Sequence, residues 1–357
     1  MEKNFGKQMK KVTALLLCTA MFGTMLTLTG CGSSSTPSDS GASGSDAPTQ
    51  NDSSDGIVCK MATGGQDTLP SYATALDVID DIEANSDIQF SYFGARQLGD
   101  DAEILQQVMA GTIQMGGTAA SAFSTYTNLL DAFAVPFVLD SYDKERAAMQ
   151  TEEAQAIFDA VEEATGVKIL VSYDSGMRYL ANNKHAIANL EDLKGLKMRV
   201  VPSDLLIDSF SAMGANPSNL AYGDIYTGLQ NGTIDGEEIN ITSIYSEKHY
   251  EVLKYFSDMG IYPFATCIFA NAEWFNSLSA EDQEILQSSF TNGYNYLFDQ
   301  HLPEAEAAGM EAMETAGVEI TAIEDPTPFK DAVADVIESY KSKDPLIKAF
   351  IEMAEGL

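Results

Sequence analysis

The chain carries only four arginines, Arg96, Arg146, Arg178 and Arg199. Arg199 lies in the apolar stretch LKGLKMRVVPS, Leu193 to Ser203. In an alternating strand Arg199 and Lys197 face one way while Met198 and Val200 face the other, so the arginine can reach a cleft at the strand's end. A guanidinium offers two parallel donors that match a carboxylate, and desolvation strengthens that pairing. Arg199 is therefore a candidate anion-binding residue; a structural ion pair with an acidic side chain is the alternative. The adjacent acids Glu237 and Glu238, after Asp235-Gly236, have the residue types for acid/base work, but their turn-like context reads as a solvated turn or hinge. His185, His249 and His301 lack metal-ligand spacing and read as surface or capping residues, so no metal is expected. No nucleophile elbow, phosphate-binding loop or dinucleotide turn is present, so neither catalysis nor a cofactor is expected. Gly64-Gly65 marks a loop that could approach a ligand.

These residues must be positioned by alternating elements. Strand-like Ile57–Met61, Ile88–Phe93 and Thr112–Gly117 are each followed by a helix-like run, Ser71–Glu83, Asp100–Ala110 and Ala122–Leu130. Asp100 with Glu103 forms a capping box, and Gly111 stands where that helix should stop. Further on, Val167–Ser172, Met177–Leu180 and Leu196–Val201 read as strands, Asp204–Met213 and Asp224–Gln230 as helices, and Thr233-Ile234 as a brief strand. A strand follows Gly260 to Asn271, and Ser279 caps a long helix to about His301. Such alternation predicts an α/β layered fold.

The N-terminus reads as a secretory signal, because lysines precede an uncharged apolar run from Val12 to Thr29. It ends in Leu28-Thr29-Gly30-Cys31, which resembles the bacterial lipobox and implies cleavage before Cys31 and lipidation of its thiol. Residues 1–30 are then signal and 31–56 a Ser/Gly/Thr/Pro/Asp-rich tether that cannot bury enough apolar surface to fold. The whole chain carries 20 Lys+Arg against 53 Asp+Glu, a net charge of −33. That surface repels nucleic acid, so any anionic ligand needs its positive charge supplied locally. Cys59 and Cys267 could form a disulfide in this compartment or remain two buried thiols.

Several pieces in order, Leu193–Val200, Gly214–Pro217, Ala221–Gln230 and Asp235-Gly236, resemble the solute-binding subunits of tripartite ATP-independent periplasmic (TRAP) transporters. Gln97-Leu98-Gly99-Asp100, Glu103–Ile113, Val135-Pro136-Phe137 and Trp274–Leu286 extend the resemblance. It implies a two-lobed periplasmic-binding-protein-like α/β fold with a ligand cleft, crossing strands and a long bracing helix. Lobe I would comprise 57–176 with 266–302, lobe II 177–265 with 303–328, and the C-terminal helices 329–357. The resemblance makes Arg199 the principal carboxylate-binding residue and Arg178 a second arginine on a neighbouring strand. Tyr222 takes the place of a family phenylalanine, Thr63 and Ala119 to Ser121 fall in cleft loops, and Ile239 stands where the family asparagine contacts ligand. The implied function is that of a receptor, not an enzyme, anchored through Cys31 outside the cell. It would bind a small organic acid, less polar than usual given Ile239, and pass it to integral-membrane TRAP permease subunits. The alternatives are a ligand sensor serving a signalling receptor and a surface-anchored enzyme.

Overall fold

A computed structural model of the chain describes residues 56–357; the signal, Cys31 and nearly all of the expected tether lie outside the described residues. The strands are β1 (Val58–Thr63), β2 (Gln89–Phe93), β3 (Met115–Ala119), β4 (Val167–Asn182), β5 (Lys197–Val200), β6 (Asn216–Asn219), β7 (Gly236–Asn240), β8 (Tyr255–Asp258), β9 (Pro263–Asn271) and β10 (Glu319–Ala322). They join in the order β2-β1-β3-β9-β4-β7-β5-β6, with β8 on β4 and β10 on β8. The β1 pairings with β2 and β3 are parallel, as are those of β5 with β6 and β7. The long β4 and β9 run antiparallel through the middle and tie the two halves together.

Helices cover the sheet and close three apolar clusters. The largest packs β1, β3, β9 and the first part of β4 against helices that include Pro70–Asn85, Asp101–Met109, Glu152–Thr165 and the C-terminal Pro345–Glu355. The other two lie around the second part of β4, one against β5 and helix Asp204–Ala212, the other against helices Ile225–Asn231 and Ile241–Ser246. No helix among the described residues is long and apolar enough to cross a membrane.

Local chemistry accounts for the boundaries that position the cleft. Asp100 caps its helix from the N–H groups of Ala102 and Glu103, and Glu103 returns the bond to the Asp100 N–H. A cap of this kind contributes about 1 kcal/mol, and it fixes the first residue of the helix, Asp101, at the ends of β1 and β3. The expected strands Val167–Ser172 and Met177–Leu180 are one continuous β4. Its Asp-Ser-Gly segment stays in the sheet because Asp174 Oδ1 accepts from the N–H groups of Gly176 (2.9 Å) and Phe264 (3.0 Å). Gly176 has φ +112, a value L residues rarely adopt, and the β4–β9 register shifts there. Burial lifts the Asp174 carboxyl to about 7.

Other expectations are revised. Ala122–Leu130 is not one helix: two short 3-10 turns, Ala120–Thr125 and Leu129–Ala134, stand in its place. The extended segment after Gly232 is Gly236–Asn240, not Thr233-Ile234. The helix capped by Ser279 ends at Asn292 and continues through a short turn and a wider π turn, Leu297–His301, into Leu302–Ala316. Cys59 and Cys267 are free and buried.

Candidate functional site

A cavity of about 330 Å³ opens between the two halves of the sheet. One wall comes from the ends of β1 and β3 and the helix start at Asp101: Gly64, Gly65, Asp101, Ala119, Ser121 and Thr125 belong to it. The other comes from β4, β5 and β9 and the segment before helix Ile225–Asn231, with Arg178, Arg199, Val201, Tyr222 and Phe264 among its residues. Leu69, Tyr72, Val201, Pro202 and Phe264 make much of the surface apolar.

Arg199 and Arg178 stand on either side of β7, which pairs with both their strands. They are 3% and 1% exposed, yet their surroundings differ. Arg178 Nε donates to Glu238 Oε2 at 2.6 Å, Nη2 to the Glu238 carbonyl at 2.6 Å and Nη1 to Asn240 Oδ1 at 3.0 Å. Its guanidinium also lies 4.5 Å from the Phe264 ring centroid. Glu238 is completed by the Val201 N–H (2.7 Å) and the Tyr262 hydroxyl (3.0 Å). Arg199 donates through Nε to the Leu220 carbonyl at 3.1 Å, the one hydrogen bond of its guanidinium to another described residue. Its two Nη groups are left for whatever occupies the cavity.

The electrostatics follow this division. Burial is the largest influence on Arg178 and lowers its pKa, but Glu238 and its neighbours more than offset that and leave it raised. The pKa of Arg199 is lowered, by burial first, with the like charge of Arg178 adding to the effect of burial while Glu238 opposes it. A buried cation short of counter-charge is stabilised by a bound anion.

Asp101 stands opposite. Its Oδ2 accepts from the Ala119 N–H at 3.3 Å, whereas Oδ1 is buried with no hydrogen-bond partner among the described residues. A Cβ on Gly64 would fall 1.6 Å from that Oδ1, so any larger residue there would displace the carboxylate. Burial raises the Asp101 carboxyl to about 6. Tyr222 donates to Ser243 Oγ at 3.0 Å, and burial lifts its phenol to about 12, keeping it a neutral donor.

Of the residues singled out from sequence, Arg199, Arg178, Tyr222, Ala119 and Ser121 line this cavity together. Thr63 does not: it is fully buried and its hydroxyl bonds that of Tyr92 at 2.9 Å. Ile239 does not either. Strand alternation sends Glu238 and Asn240 toward Arg178 and Ile239 into the apolar cluster beyond, opposite Tyr179. Asn240, one residue later, accepts from Arg178. Glu237 and Glu238 form no solvated turn; both are fully buried in β7, and His249 is buried too, with Nδ1 3.0 Å from Glu237 Oε1. Asp101 is not singled out by the sequence, because the capping role of Asp100 accounts for the local acidity and only the fold brings Asp101 beside Gly64.

Comparison with known proteins bears on the family and the fold. The family described as "Bacterial extracellular solute-binding protein, family 7" matches residues 64–344. The ectoine/5-hydroxyectoine-binding periplasmic protein UehA of Ruegeria pomeroyi is 31% identical over 263 residues, 72% of this chain and 77% of that protein. The 2,3-diketo-L-gulonate-binding periplasmic protein YiaO of Escherichia coli is 28% identical over 258 residues, 72% of this chain and 78% of its own length. Among solved structures, a TRAP periplasmic solute binding protein from Sulfitobacter sp. NAS-14.1 with bound β-D-galacturonate superposes with a TM-score of 0.78. It is 25% identical, over 84% of this chain and all of the other. Its two-lobed α/β architecture is also the architecture here. The chain belongs to family 7 of the bacterial extracellular solute-binding proteins, the solute receptors of TRAP transporters.

Proposed function

We propose that this receptor captures a small organic acid whose carboxylate is gripped by the free Nη groups of Arg199 and whose body rests against Leu69, Val201, Tyr222 and Phe264. The observation that carries the reading is the contrast at Arg199: a buried guanidinium with two donors unspent, at the wall of a cavity large enough for a small metabolite. Arg178, saturated by Glu238 and Asn240, supports the wall and orients Phe264. The free Oδ1 of Asp101 suits a ligand that also carries a protic group, a hydroxyl or an ammonium-like N–H. UehA and YiaO are named for ectoines and a keto sugar acid, and the Sulfitobacter protein holds galacturonate. Each of those ligands combines an acid with protic groups, which supports the same class here.

On this reading the mature protein is held at the outer face of the membrane by lipid on Cys31. It closes over its solute between lobes bounded near residues 176 and 265, and passes the solute to a TRAP permease. A thermal-shift screen of residues 56–357 tests the ligand class, since a solute that binds the folded state raises its melting temperature. Hydroxy acids, sugar acids and zwitterionic acids are expected among the hits; hits confined to neutral sugars or peptides without an acid group overturn the reading.

A further inference from the structure

At the mouth of the cavity a third arginine pairs across the cleft. Arg96 lies in the loop after β2, on the β1–β3 side of the cleft; Glu247 follows helix Ile241–Ser246, on the β7 side. Arg96 Nη1 donates to Glu247 Oε1 at 3.0 Å and Nη2 to Oε2 at 3.2 Å, a two-pronged pair between residues 151 positions apart. The guanidinium also stands 5.4 Å from the centroid of the Tyr222 ring, and Arg96 itself lines the cavity.

Neither partner sits where its own segment would favour it. Arg96 has φ +63 and the preceding Ala95 φ +51, two consecutive side-chain-bearing residues in the left-handed region. Each costs on the order of 1 kcal/mol. The strain is held by backbone bonds from Ala95 N–H to the Gly65 carbonyl and from Arg96 N–H to the Thr63 carbonyl, both 3.1 Å. Those bonds tie the loop to the end of β1, beside the cavity. Glu247 in turn is the C-cap of its helix, the end where a carboxylate meets carbonyl oxygens and the unfavourable pole of the helix dipole. Held in place by its own side of the cleft, the Arg96 side chain reaches the Glu247 carboxylate on the other.

We propose that Arg96 and Glu247 form a clasp across the cavity mouth, which helps to hold the closed form together and must part before solute enters or leaves. The inference rests on reading the cavity as a ligand cleft, but not on any particular ligand. Its side chains are 25% and 13% exposed, so water and salt reach the pair and its strength is modest and screenable. A weak, screenable clasp suits a receptor that must open again at its permease.

The test uses the full chain without added solute, unfolded and refolded to strip co-purified ligand. With Cys18 and Cys31 replaced by Ser, spin labels added after refolding on Gln106→Cys and Gln230→Cys, both exposed and on opposite sides of the cleft, report the distance between them; Cys59 and Cys267 are buried and stay unlabelled. The unsubstituted chain is expected to show a short, closed distance population. Arg96→Ala and Glu247→Ala should each reduce that population about fivefold, the scale of a half-buried bidentate pair. The double variant should lose no more than either single, and the exchanged pair Arg96→Glu with Glu247→Arg should recover part of the loss. Salt at about 1 M, where screening acts over about 3 Å, should open the unsubstituted chain and leave the double variant unchanged. Glu247→Gln, nearly isosteric and outside the strained loop, gives the same reading if Arg96→Ala fails to fold. The proposal is overturned by a ligand-free chain with no closed population, by singles that leave the distribution unchanged, or by a double loss equal to the product of the singles. Because no solute enters the measurement, its outcome is independent of the solute screen.

Discussion

Arg178 and Arg199 flank the same strand, are almost equally buried and line the same cavity, yet they occupy opposite kinds of surroundings. Around Arg178 every nitrogen of the guanidinium donates to Glu238 or Asn240, so the region is a finished piece of interior. Around Arg199 a single carbonyl is bonded and, among the described residues, two nitrogens have no partner. Burial and charge therefore do not separate the two arginines. The count of donors already spent does.

The sharpest way to break this comparison is to remove each charge in the ligand-free protein. Arg178→Met leaves Glu238 buried without its partner and should cost about 3–5 kcal/mol of folding stability in urea titration. Arg199→Met removes a cation that lacks a full partner, so ligand-free stability should stay within about 1 kcal/mol of the parent or rise. Equal losses for the two would dissolve the distinction.

Binding gives the next largest effect. Arg199→Lys keeps the charge but loses the two-pronged donor geometry, and should weaken the best solute from the screen by about 2–4 kcal/mol, or about 30-fold to 900-fold in dissociation constant. Calorimetry that finds near-native affinity in a folded variant would make Arg199 a structural residue like Arg178.

The smallest expected effect, on the order of 1–2 kcal/mol, concerns Asp101, across the cavity from both arginines. Its carboxyl is raised to about 6, by burial first. A ligand that donates to the carboxylate is then held well at pH 7 and less well as pH falls through about 6. Stability without ligand runs the other way. A carboxyl with a folded-state pKa above the unfolded value, near 4, contributes stability that is present below pH 4 and lost as pH rises through about 6. Asp101→Asn should flatten both slopes, which melting curves and calorimetry at pH 5 and pH 7 would show; unchanged slopes would remove Asp101 from the site.

Much of the scaffold is legible in the sequence, and the reasons are local. The Asp100–Glu103 capping box is present as expected, because both partners lie within one turn. Arg199 was visible because strand alternation and the apolar run around it depend on neighbouring residues alone. The partnering of the charges was not. Glu237 and Glu238 looked like a solvated turn because acidic residues are seldom fully buried unpaired. Their partners, His249 and Arg178, are 12 and 60 residues away and come together only when β4 lies beside β7. The break expected in β4 had the same origin: Asp-Ser-Gly reads as a turn until Phe264, 90 residues on, supplies the second donor to Asp174. Asp101 was hidden by its neighbour, since a capping aspartate accounts for local acidity and gives no hint that the next carboxylate faces a cavity.

The position of β9 in the sheet also governs the order of events as the chain acquires its structure. β9 is the ninth strand to emerge but lies between β3 and β4, with its central residues hydrogen-bonded on both sides. Until Pro263–Asn271 arrives, β3 and β4 present unpaired edges, and the wall that carries Phe264 does not exist. Contacts that distant in sequence form slowly, and exposed edges meanwhile invite pairing with other chains. A chain exported unfolded would thus complete neither half before most of its length has crossed, although the halves are separate in their apolar clusters.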